Sequence, residues 1–457
     1  MNRLYLILLL VILTVGCKEK IHVPSAADFE GVIITEVAAN ADKPATDSWV
    51  EIYNTSSRDI SLAGLGLYLF SDDVDGDEMT IMDEMSIRAG ERLVFSTADM
   101  TLLRGISSDS DFELVLGVSA DKDIVDRFSR DKAGVAGPTV RYGSYQKMPE
   151  IGGDWVITSQ STRRMNNFDA KPNAIWAWSS HVEAWVADDF KVLKQMKQLG
   201  YDHLLLNYYA FDGAEYVDKT RQLVAAAKAC GVKVHAWMQV FREDGKWVNP
   251  IENLGNRQGR YKQEEFDRLI AKANGYIDNF GVDGIHLDYI RFSGTGDGIA
   301  NYNNFKNGVT ATGAITGFCR QLRESIDSRL EGVILSAAMV TPENRIYYFG
   351  QEPSEMGEYI DILIPMAYKS TANRTYDSSW IVNICQEFTS VTDAQVWAGI
   401  QTYTHYSGSQ SVKGMTAEEV LVDAEAVQGR SDCSGLALFR YALGEYPDVN
   451  DLWSSAK

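Results

Sequence analysis

Two patterns of apolar and polar residues divide the chain. Up to about residue 160, short apolar runs are separated by polar turns that contain Gly or Asp. These runs predict strands at residues 32–37, 49–54, 65–70, 92–95 and 112–116. Short strands separated by such turns are typical of an all-β sandwich.

From residue 174 onward, apolar runs alternate with amphipathic helical stretches. The runs predict eight strands, at residues 175–179, 203–209, 232–240, 284–292, 333–339, 362–368, 396–403 and 435–441. The helices predicted between them include residues 216–230, 263–280, 314–330 and 417–429. Eight such units in about 280 residues are the usual size of a (β/α)8 TIM barrel. A doubly wound sheet is the alternative, but no Gly-rich phosphate loop follows the first strand.

The fourth predicted barrel strand carries charge within an apolar run. Residues 281–292 read GVDGIHLDYIRF. The alternation of side chains along a strand places His286 and Asp288 on one face, and Leu287 and Tyr289 on the other. Charged groups are costly in a core unless they are paired or used. Because barrel enzymes keep their chemistry at the C-terminal ends of the strands, we expect Asp288 to be functional.

The ends of the other predicted strands also carry aromatic, amide and charged side chains. Aromatic faces stack on sugar rings, while amides and charged groups bind hydroxyls, so this ring favours a carbohydrate cleft over a nucleotide or apolar-ligand pocket. The residues predicted to bind substrate are Trp176, Trp178, Asn207, Tyr208, His235, Trp237, Gln239, His286, Arg291, Tyr368, Gln401, Tyr403 and Arg440.

Cleavage of a glycosidic bond usually needs two carboxyl groups. Asp288 is the first candidate, and Glu343, which follows the neighbouring predicted strand, is the second. Glu243 and Asp212 are the further candidates for the second carboxyl. Because Arg291 is near, we expect Asp288 to be held ionised, which suits a nucleophile or a base.

Two motifs in residues 174–445 resemble known glycoside hydrolases. Residues 283–292 resemble the Asp-Gly-Ile-His-hydrophobic-Asp-Tyr-hydrophobic-Arg-aromatic motif of the family 10-like barrels, and residues 366–368 resemble the Met-x-Tyr of strand six in family 18. The resemblance implies a TIM-barrel hydrolase whose site includes Asp288, Arg291 and Tyr368.

The chain departs from family 18 in strand four. Ile290 stands where that family has its catalytic Glu, and His286 stands where it has an Asp. Substrate-assisted chemistry of the chitinase type is therefore not expected, and the identity of the general acid stays open.

The N-terminal strands resemble a lamin-tail domain. The matching features are ITEV at 34–37, WVEIYN at 49–54, Leu62 with Gly64, and Trp155 near Asn166. The resemblance implies an immunoglobulin-like sandwich with an accessory or adhesive role and no catalytic residues. The expected organisation is a multidomain chain, with a signal at residues 1–17, the sandwich at 28–167 and the barrel at 172–457.

Composition limits the partners. A formal net charge of -20 argues against nucleic acid, whose phosphates would be repelled. Cys230, Cys319, Cys385 and Cys433 lie far apart without a CxxC pattern, so we expect small buried thiols rather than a zinc site. No cofactor or metal is predicted, and the expected partner is a carbohydrate.

Two functions fit these features, and a third lacks its sequence signature. The first is hydrolysis of a glycan, and the second is silent glycan binding by the same cleft. The two differ in whether a second carboxyl faces Asp288 at roughly 5 to 10 Å. A deacetylase or lyase would need a metal triad or a Lys or Tyr base, and no His pair has metal-ligand spacing.

The first 17 residues resemble a bacterial lipoprotein signal. Arg3 precedes an apolar stretch at 4–15, and small residues then lead to Cys17. This implies that Cys17 is lipidated and anchors the protein to a bacterial membrane of the cell envelope, with the outer membrane expected. An ordinary signal peptide or membrane anchor is the alternative.

We predict that Cys17→Ser abolishes lipid modification and moves the protein to the soluble fraction, because the acceptor thiol is lost. Fractionation and gel mobility measure this, with Cys230→Ser as the control that should keep the membrane partition. Unchanged partition and mobility of Cys17→Ser would contradict the lipoprotein assignment.

Overall fold

The computed structural model describes most of the chain from Val23 to Leu452. The described residues are 23–39, 48–71, 78–82, 85–97, 99–118, 123–131, 134–137, 139, 143–158, 161–164, 167, 172–294, 305–328, 332–341, 345–430, 433–450 and 452. Cys17 and Glu343 lie outside these residues. Within the described ranges, no helix has the length and apolar character needed to span a bilayer.

The N-terminal region consists mostly of antiparallel strands, as predicted. They are β1 Val32–Ala38, β2 Trp49–Asn54, β3 Ile60–Ser61, β4 Gly66–Ser71, β5 Glu78–Ile81, β6 Ser86–Ile87, β7 Arg92–Ser96, β8 Phe112–Gly117, β9 Ile124–Arg130, β10 Ser144–Met148 and β11 Asp154–Thr158. One sheet has the order β11-β10-β1-β2-β7 and another β5-β4-β8-β9, while β3 pairs with β6. Both larger sheets contribute to one apolar core, for example through Ile52 of β2 and Leu114 of β8.

The C-terminal region contains a closed barrel of eight parallel strands, which confirms the predicted barrel. Its strands are β12 Asn173–Ala177, β13 His203–Asn207, β14 Lys233–Gln239, β19 Gly284–Asp288, β20 Ile334–Met339, β21 Ile362–Pro365, β24 Gln395–Gln401 and β27 Gly435–Phe439. Short hairpins extend the loops after β14, β21 and β24: β15 Arg242–Glu243 with β16 Lys246–Trp247, β17 Ile251–Gly255 with β18 Gln258–Tyr261, β22 Ser370–Thr371 with β23 Arg374–Thr375, and β25 Tyr403–His405 with β26 Val412–Gly414.

Helices connect the barrel strands and pack their apolar faces on the outside of the barrel. They are α1 Val182–Ala187, α2 Lys191–Gln198, α3 Tyr209–Asp212, α4 Val217–Cys230, α5 Gln263–Phe280, α6 Ala311–Asp327, α7 Arg345–Phe349, α8 Pro353–Met356, α9 Ser378–Thr389 and α10 Ala417–Arg430. Helices α4 and α5 end at Gly231 and Gly281, with φ of 72° and 63°. A glycine tolerates this left-handed conformation, which ends a helix and turns the chain toward the next strand.

Buried charges join the N-terminal region to the barrel at the N-terminal ends of the strands. Asp361, immediately before β21, is fully buried and pairs with Arg323 of α6 and with Arg164, whose Nη1 lies 3.1 Å from Asp361 Oδ1. The backbone N–H of Arg164 donates to Oε2 of Glu51 in β2. The connecting segment is therefore held by a buried carboxyl group on each side. Because the chemistry of a barrel is at its other end, these contacts serve stability.

Glu51 is the titratable group of this junction whose pKa shifts most clearly. Burial raises its pKa to about 8, Arg92 opposes the shift, and neighbouring Glu36 adds to it. Burial also raises the pKa of Glu36, against the hydrogen bonds that this carboxyl accepts from Ser144, Thr162 and Gln146. The folded protein therefore binds protons here that the unfolded chain releases.

We predict that the melting temperature falls as the pH rises from 5 to 8. The folded-state pKa of Glu51 lies above the ordinary value of 4.5. Its stabilising contribution is therefore full below about pH 4.5 and is lost as the pH rises through about 8. The contribution is about 1.4 kcal/mol for each pH unit by which the folded-state pKa exceeds the unfolded-state pKa.

Thermal unfolding of Glu51→Gln across this pH range tests the assignment, and the variant should show a shallower slope. Glu113→Gln, which removes a partly exposed carboxyl from β8, should keep the slope of the parent protein. An identical slope in Glu51→Gln and the parent would show that Glu51 does not cause the pH dependence.

Candidate active site

The last residue of β19 positions the candidate catalytic carboxyl. Residues 284–287 are buried, and Asp288 opens into a cavity at the C-terminal end of the barrel. The next residue, Tyr289, has φ 53°, an unusual conformation for a residue with a bulky side chain. Its backbone N–H donates to Oδ1 of Asp288 at 2.7 Å. The strand therefore ends four residues earlier than predicted, and Arg291 belongs to the following loop.

The cavity at Asp288 has a volume of about 210 Å³ and mainly aromatic walls. The rings of Trp178 and Trp237 lie with centroids 4.8 Å apart, and Tyr368 stacks on Phe439 at 5.3 Å. The complete lining is Trp176, Trp178, Trp237, Gln239, Asp288, Tyr289, Arg291, Ala338, Met366, Tyr368 and Phe439. Six of the residues predicted to bind substrate, together with Asp288 and aromatic neighbours, therefore share one cavity.

Opposing effects set the pKa of Asp288. Burial raises it, while hydrogen bonds from the Tyr289 backbone and from Trp237 Nε1, 3.0 Å from Oδ2, lower it, as do the charges of Arg291 and Arg242. The net direction is upward. Arg291 lowers the pKa of Asp288, as the sequence suggested, but burial outweighs the cations and the net shift is upward. A raised pKa is the property that a general acid needs.

The floor of the cavity is a buried hydrogen-bond network. Trp176 Nε1 donates to His286 Nε2 at 3.0 Å, so the proton of this imidazole is on Nδ1, 2.9 Å from Ser336 Oγ. Burial lowers the pKa of His286 and keeps the ring neutral. Below it, His235 pairs with His203 at 2.9 Å, and burial lowers the pKa of His235 to about 3. His235 and His286, both predicted to bind substrate, therefore lie fully buried in the barrel interior under the cavity.

A second cavity of about 280 Å³ adjoins the first and shares Gln239 with it. Tyr208, also predicted from the sequence, lines this second cavity. The two further candidates for the second carboxyl also line this cavity, and each pairs with a cation. Asp212 lies 2.7 Å from Lys272, and Glu243 lies 3.0 Å from Arg268. The two cavities, which share Gln239, are together called the cleft.

The remaining predicted site residues surround the cleft without lining either cavity. Gln401 is buried and holds the loop after β21. Its Oε1 accepts from the Ser370 backbone N–H, and its Nε2 donates to the Ser370 carbonyl. Tyr403 lies beside Phe439, with ring centroids 6.3 Å apart. The guanidinium of Arg440 lies 5.4 Å from the centre of the Trp178 ring.

Asn207, at the end of β13, is buried beside the barrel mouth. Its Oδ1 accepts a hydrogen bond from the Tyr209 backbone, and its Nδ2 has no partner among the described residues. Glu343, the predicted second carboxyl, lies outside the described residues.

Phe439 and Tyr289 line the cavity although the sequence analysis did not select them. Phe439 follows Gly435 and Ala437 at two-residue intervals in β27, so strand alternation could have placed it inside the barrel. Tyr289 was assigned to the opposite face from Asp288, because the strand was expected to continue. Its left-handed φ turns it into the cavity, and no pattern in the sequence indicates that turn.

Comparison with known proteins gives one family match. Residues 243–383 match a family described as "Putative glycosyl hydrolase domain", a stretch that includes β19 and Asp288. This match supports the glycoside-hydrolase-like assignment of the barrel that was made from residues 283–292. No curated protein matches the chain.

Several solved structures are similar to this chain at low identity. The C-terminal domain of a "putative chitinase" from Desulfitobacterium hafniense DCB-2 is 12% identical, with a TM-score of 0.43 over 60% of this chain and 95% of that chain. A chitinase from Chromobacterium violaceum ATCC 12472 is 11% identical, with a TM-score of 0.40 over 62% and 97%. The spore cortex-lytic enzyme SleL from Bacillus cereus is 11% identical, with a TM-score of 0.43 over 62% and 73%.

We predict that Trp237→Phe raises the pKa of Asp288 further, by roughly one pH unit, because it removes a donor that favours the ionised carboxyl. A carbon NMR titration of the Asp288 carboxyl measures the change. Trp178→Phe alters the same aromatic wall without removing that donor, and should leave the pKa unchanged. An equal pKa in Trp237→Phe and the parent would show that the indole does not control this carboxyl.

Proposed function

We propose that the protein is an extracytoplasmic, lipid-anchored glycoside hydrolase that cleaves a polysaccharide or glycan by two-carboxyl acid/base chemistry. The observation that carries the proposal is the carboxyl of Asp288, which has a raised pKa and opens into an aromatic-walled cavity at the C-terminal end of a parallel barrel. Aromatic walls suit the faces of sugar rings, and a carboxyl of raised pKa suits proton transfer to a glycosidic oxygen.

In this mechanism Asp288 is the general acid. A sugar ring lies against Trp178 and Trp237, and the Trp237 N–H fixes the orientation of the carboxyl. Asp288 gives its proton to the glycosidic oxygen as the bond from that oxygen to the anomeric carbon breaks. A second carboxylate removes a proton from water, whose oxygen bonds to the anomeric carbon. Alternatively, it attacks that carbon to form a glycosyl ester, which water then cleaves after losing a proton to Asp288.

Glu343 is proposed as the second carboxyl from its position in the sequence, after β20 and close to α7. Two described carboxyls in the adjoining cavity, Asp212 and Glu243, are already neutralised by Lys272 and Arg268, which makes them weaker candidates. A carboxylate held in a salt bridge has fewer free lone pairs with which to activate water.

The second candidate function is silent glycan binding in the same cleft. The observation that favours it is the pairing of Asp212 and Glu243 with cations, since neither faces Asp288 within the first cavity. Without a competent partner for Asp288, the aromatic walls would still hold a sugar.

The N-terminal region is proposed to be an immunoglobulin-like, lamin-tail accessory domain. Its two larger sheets enclose one core, and its charged contacts through Glu51 and Arg164 reach the barrel at the end opposite Asp288. This placement leaves the cleft open. With lipid on Cys17, the barrel would be held at the cell envelope with access to a polymeric substrate.

We predict that Asp288→Asn lowers glycan turnover by roughly 10²- to 10⁴-fold, because the near-isosteric amide cannot donate the proton. Rates are measured as new reducing ends, with thermal unfolding measured beside them. Asp218→Asn removes an exposed carboxylate from α4 and is the control that should keep full activity. Glu343→Gln should also impair turnover.

The pattern among these variants separates the possibilities. A folded and fully active Asp288→Asn would place the site elsewhere. Loss of the barrel fold in that variant would make Asp288 a structural residue. An inactive Asp288→Asn beside a fully active Glu343→Gln would keep the acid and exclude Glu343 as its partner.

A further inference from the structure

Three arginines border the cleft without a salt bridge to any carboxylate of the described residues. Arg291 lines the cavity at Asp288, Arg242 lines the adjoining cavity, and Arg440 lies over Trp178. None of the three forms a salt bridge with a carboxylate in the described part of the chain, whereas Arg268 and Arg221, for example, do. Asp288 attracts Arg291 and Arg242 through space but forms no ion-pair contact with them. Partly buried charge without such a contact is costly, so its presence beside a cavity calls for an explanation.

Arg291 is held in place by aromatic faces. Its guanidinium lies 4.6 Å from the centre of the Trp247 ring and 5.1 Å from that of Phe349, and Nη1 donates to the Phe292 carbonyl at 3.0 Å. Stacking uses the face of the guanidinium plane. The remaining N–H groups lie along its edge, where they can donate to an anion.

Arg242 is positioned in a similar way from the other cavity. Its guanidinium lies 4.7 Å from the centre of the Tyr289 ring, and Nη1 donates to the Tyr289 hydroxyl at 2.8 Å. Arg291 lies 5.6 Å from the centre of the same ring. Two guanidinium groups thus converge on Tyr289, next to Asp288 and close to Gln239, which the two cavities share.

Most other charges near this point are already balanced. Lys272 is paired with Asp212 and Arg268 with Glu243. Asp244 lies exposed at the outer part of the second cavity, and Asp288 is the proposed acid. In a chain with a formal net charge of -20, unpaired cations at the cleft are a local departure from the overall charge.

We infer that Arg242 and Arg291 form a subsite for an anionic sugar, and that the substrate is an acidic glycan with a carboxylate or sulfate next to the cleaved bond. This inference rests on the proposed function and names its substrate class. The forked N–H groups of arginine match a planar carboxylate in two parallel hydrogen bonds, which lysine or an amide cannot reproduce. Arg440, whose guanidinium lies over the Trp178 ring, adds positive potential without being part of the subsite.

The test compares matched pairs of glycans on the full-length protein. Uronic-acid polysaccharides are assayed beside the same polymers with their carboxyls reduced to alcohols, and sulfated polymers beside their desulfated forms. Neutral glucans, mannans and xylans complete the panel. Binding is measured by affinity electrophoresis, and cleavage as kcat/KM from new reducing ends.

The expected result is a preference of about tenfold or more for one acidic polymer over its neutralised counterpart, as charge-assisted hydrogen bonds would give. The chemical class that shows the preference identifies carboxylate or sulfate. Arg291→Gln and Arg242→Gln should each reduce that preference, and Arg291→Lys should restore part of it. Arg221→Gln, which removes the same charge from exposed α4, should leave it intact.

Two negative results are distinguishable. Cleavage of neutral glycans as fast as, or faster than, any acidic one overturns the anionic subsite and leaves the hydrolase proposal standing. No binding or cleavage of any glycan by a folded protein overturns the proposed function and this inference together. An acidic preference that survives unchanged in both Arg→Gln variants would place charge recognition at other residues.

Discussion

The burial of one carboxyl at the end of β19 is the constraint on which the candidate site depends. Desolvation at the barrel mouth disfavours the charged form of Asp288, and two hydrogen bonds and two nearby arginines offset this effect only in part. Its pKa is therefore raised, although cations are close. The aromatic walls have two effects. They exclude water from the carboxyl, and they offer faces on which a sugar ring can pack. The buried network of Trp176, His286 and Ser336 below keeps the floor rigid and neutral.

The barrel separates this function from the contacts that hold the molecule together. At the opposite end of the strands, Asp361 joins Arg323 to Arg164, and Arg164 reaches Glu51 in the N-terminal region. These groups are deeply buried and paired, so removing one partner would leave an uncompensated charge. At the cleft end, Arg242, Arg291 and Arg440 form no salt bridge with a carboxylate of the described residues. The ion pairs of Asp361 thus lie at the structural end of the barrel, and these three arginines lie at the end proposed to bind substrate.

The sequence predicted the repeated elements better than the details of the site. All eight barrel strands and the position of Asp288 followed from apolar runs and strand alternation, because both depend on local patterns. The end of β19 did not, since the left-handed turn at Tyr289 is set by its surroundings and not by a glycine. In the sequence, the neutral, buried His235 and His286 cannot be distinguished from ligand-binding histidines. Only the packing of the barrel shows that they lie under the cavity. The direction of the Asp288 pKa likewise depends on burial, which spacing to Arg291 cannot reveal.

The most direct measurement of the central claim is the fate of water oxygen in the reaction. The full-length protein is incubated with bacterial and host polysaccharides in ¹⁸O-labelled water, and the products are examined by mass spectrometry. Hydrolysis at the Asp288 cavity predicts new reducing ends, each carrying one ¹⁸O at the anomeric carbon. Products with unsaturated ends and no label, or a folded protein that binds the polymers and leaves them intact, would contradict it.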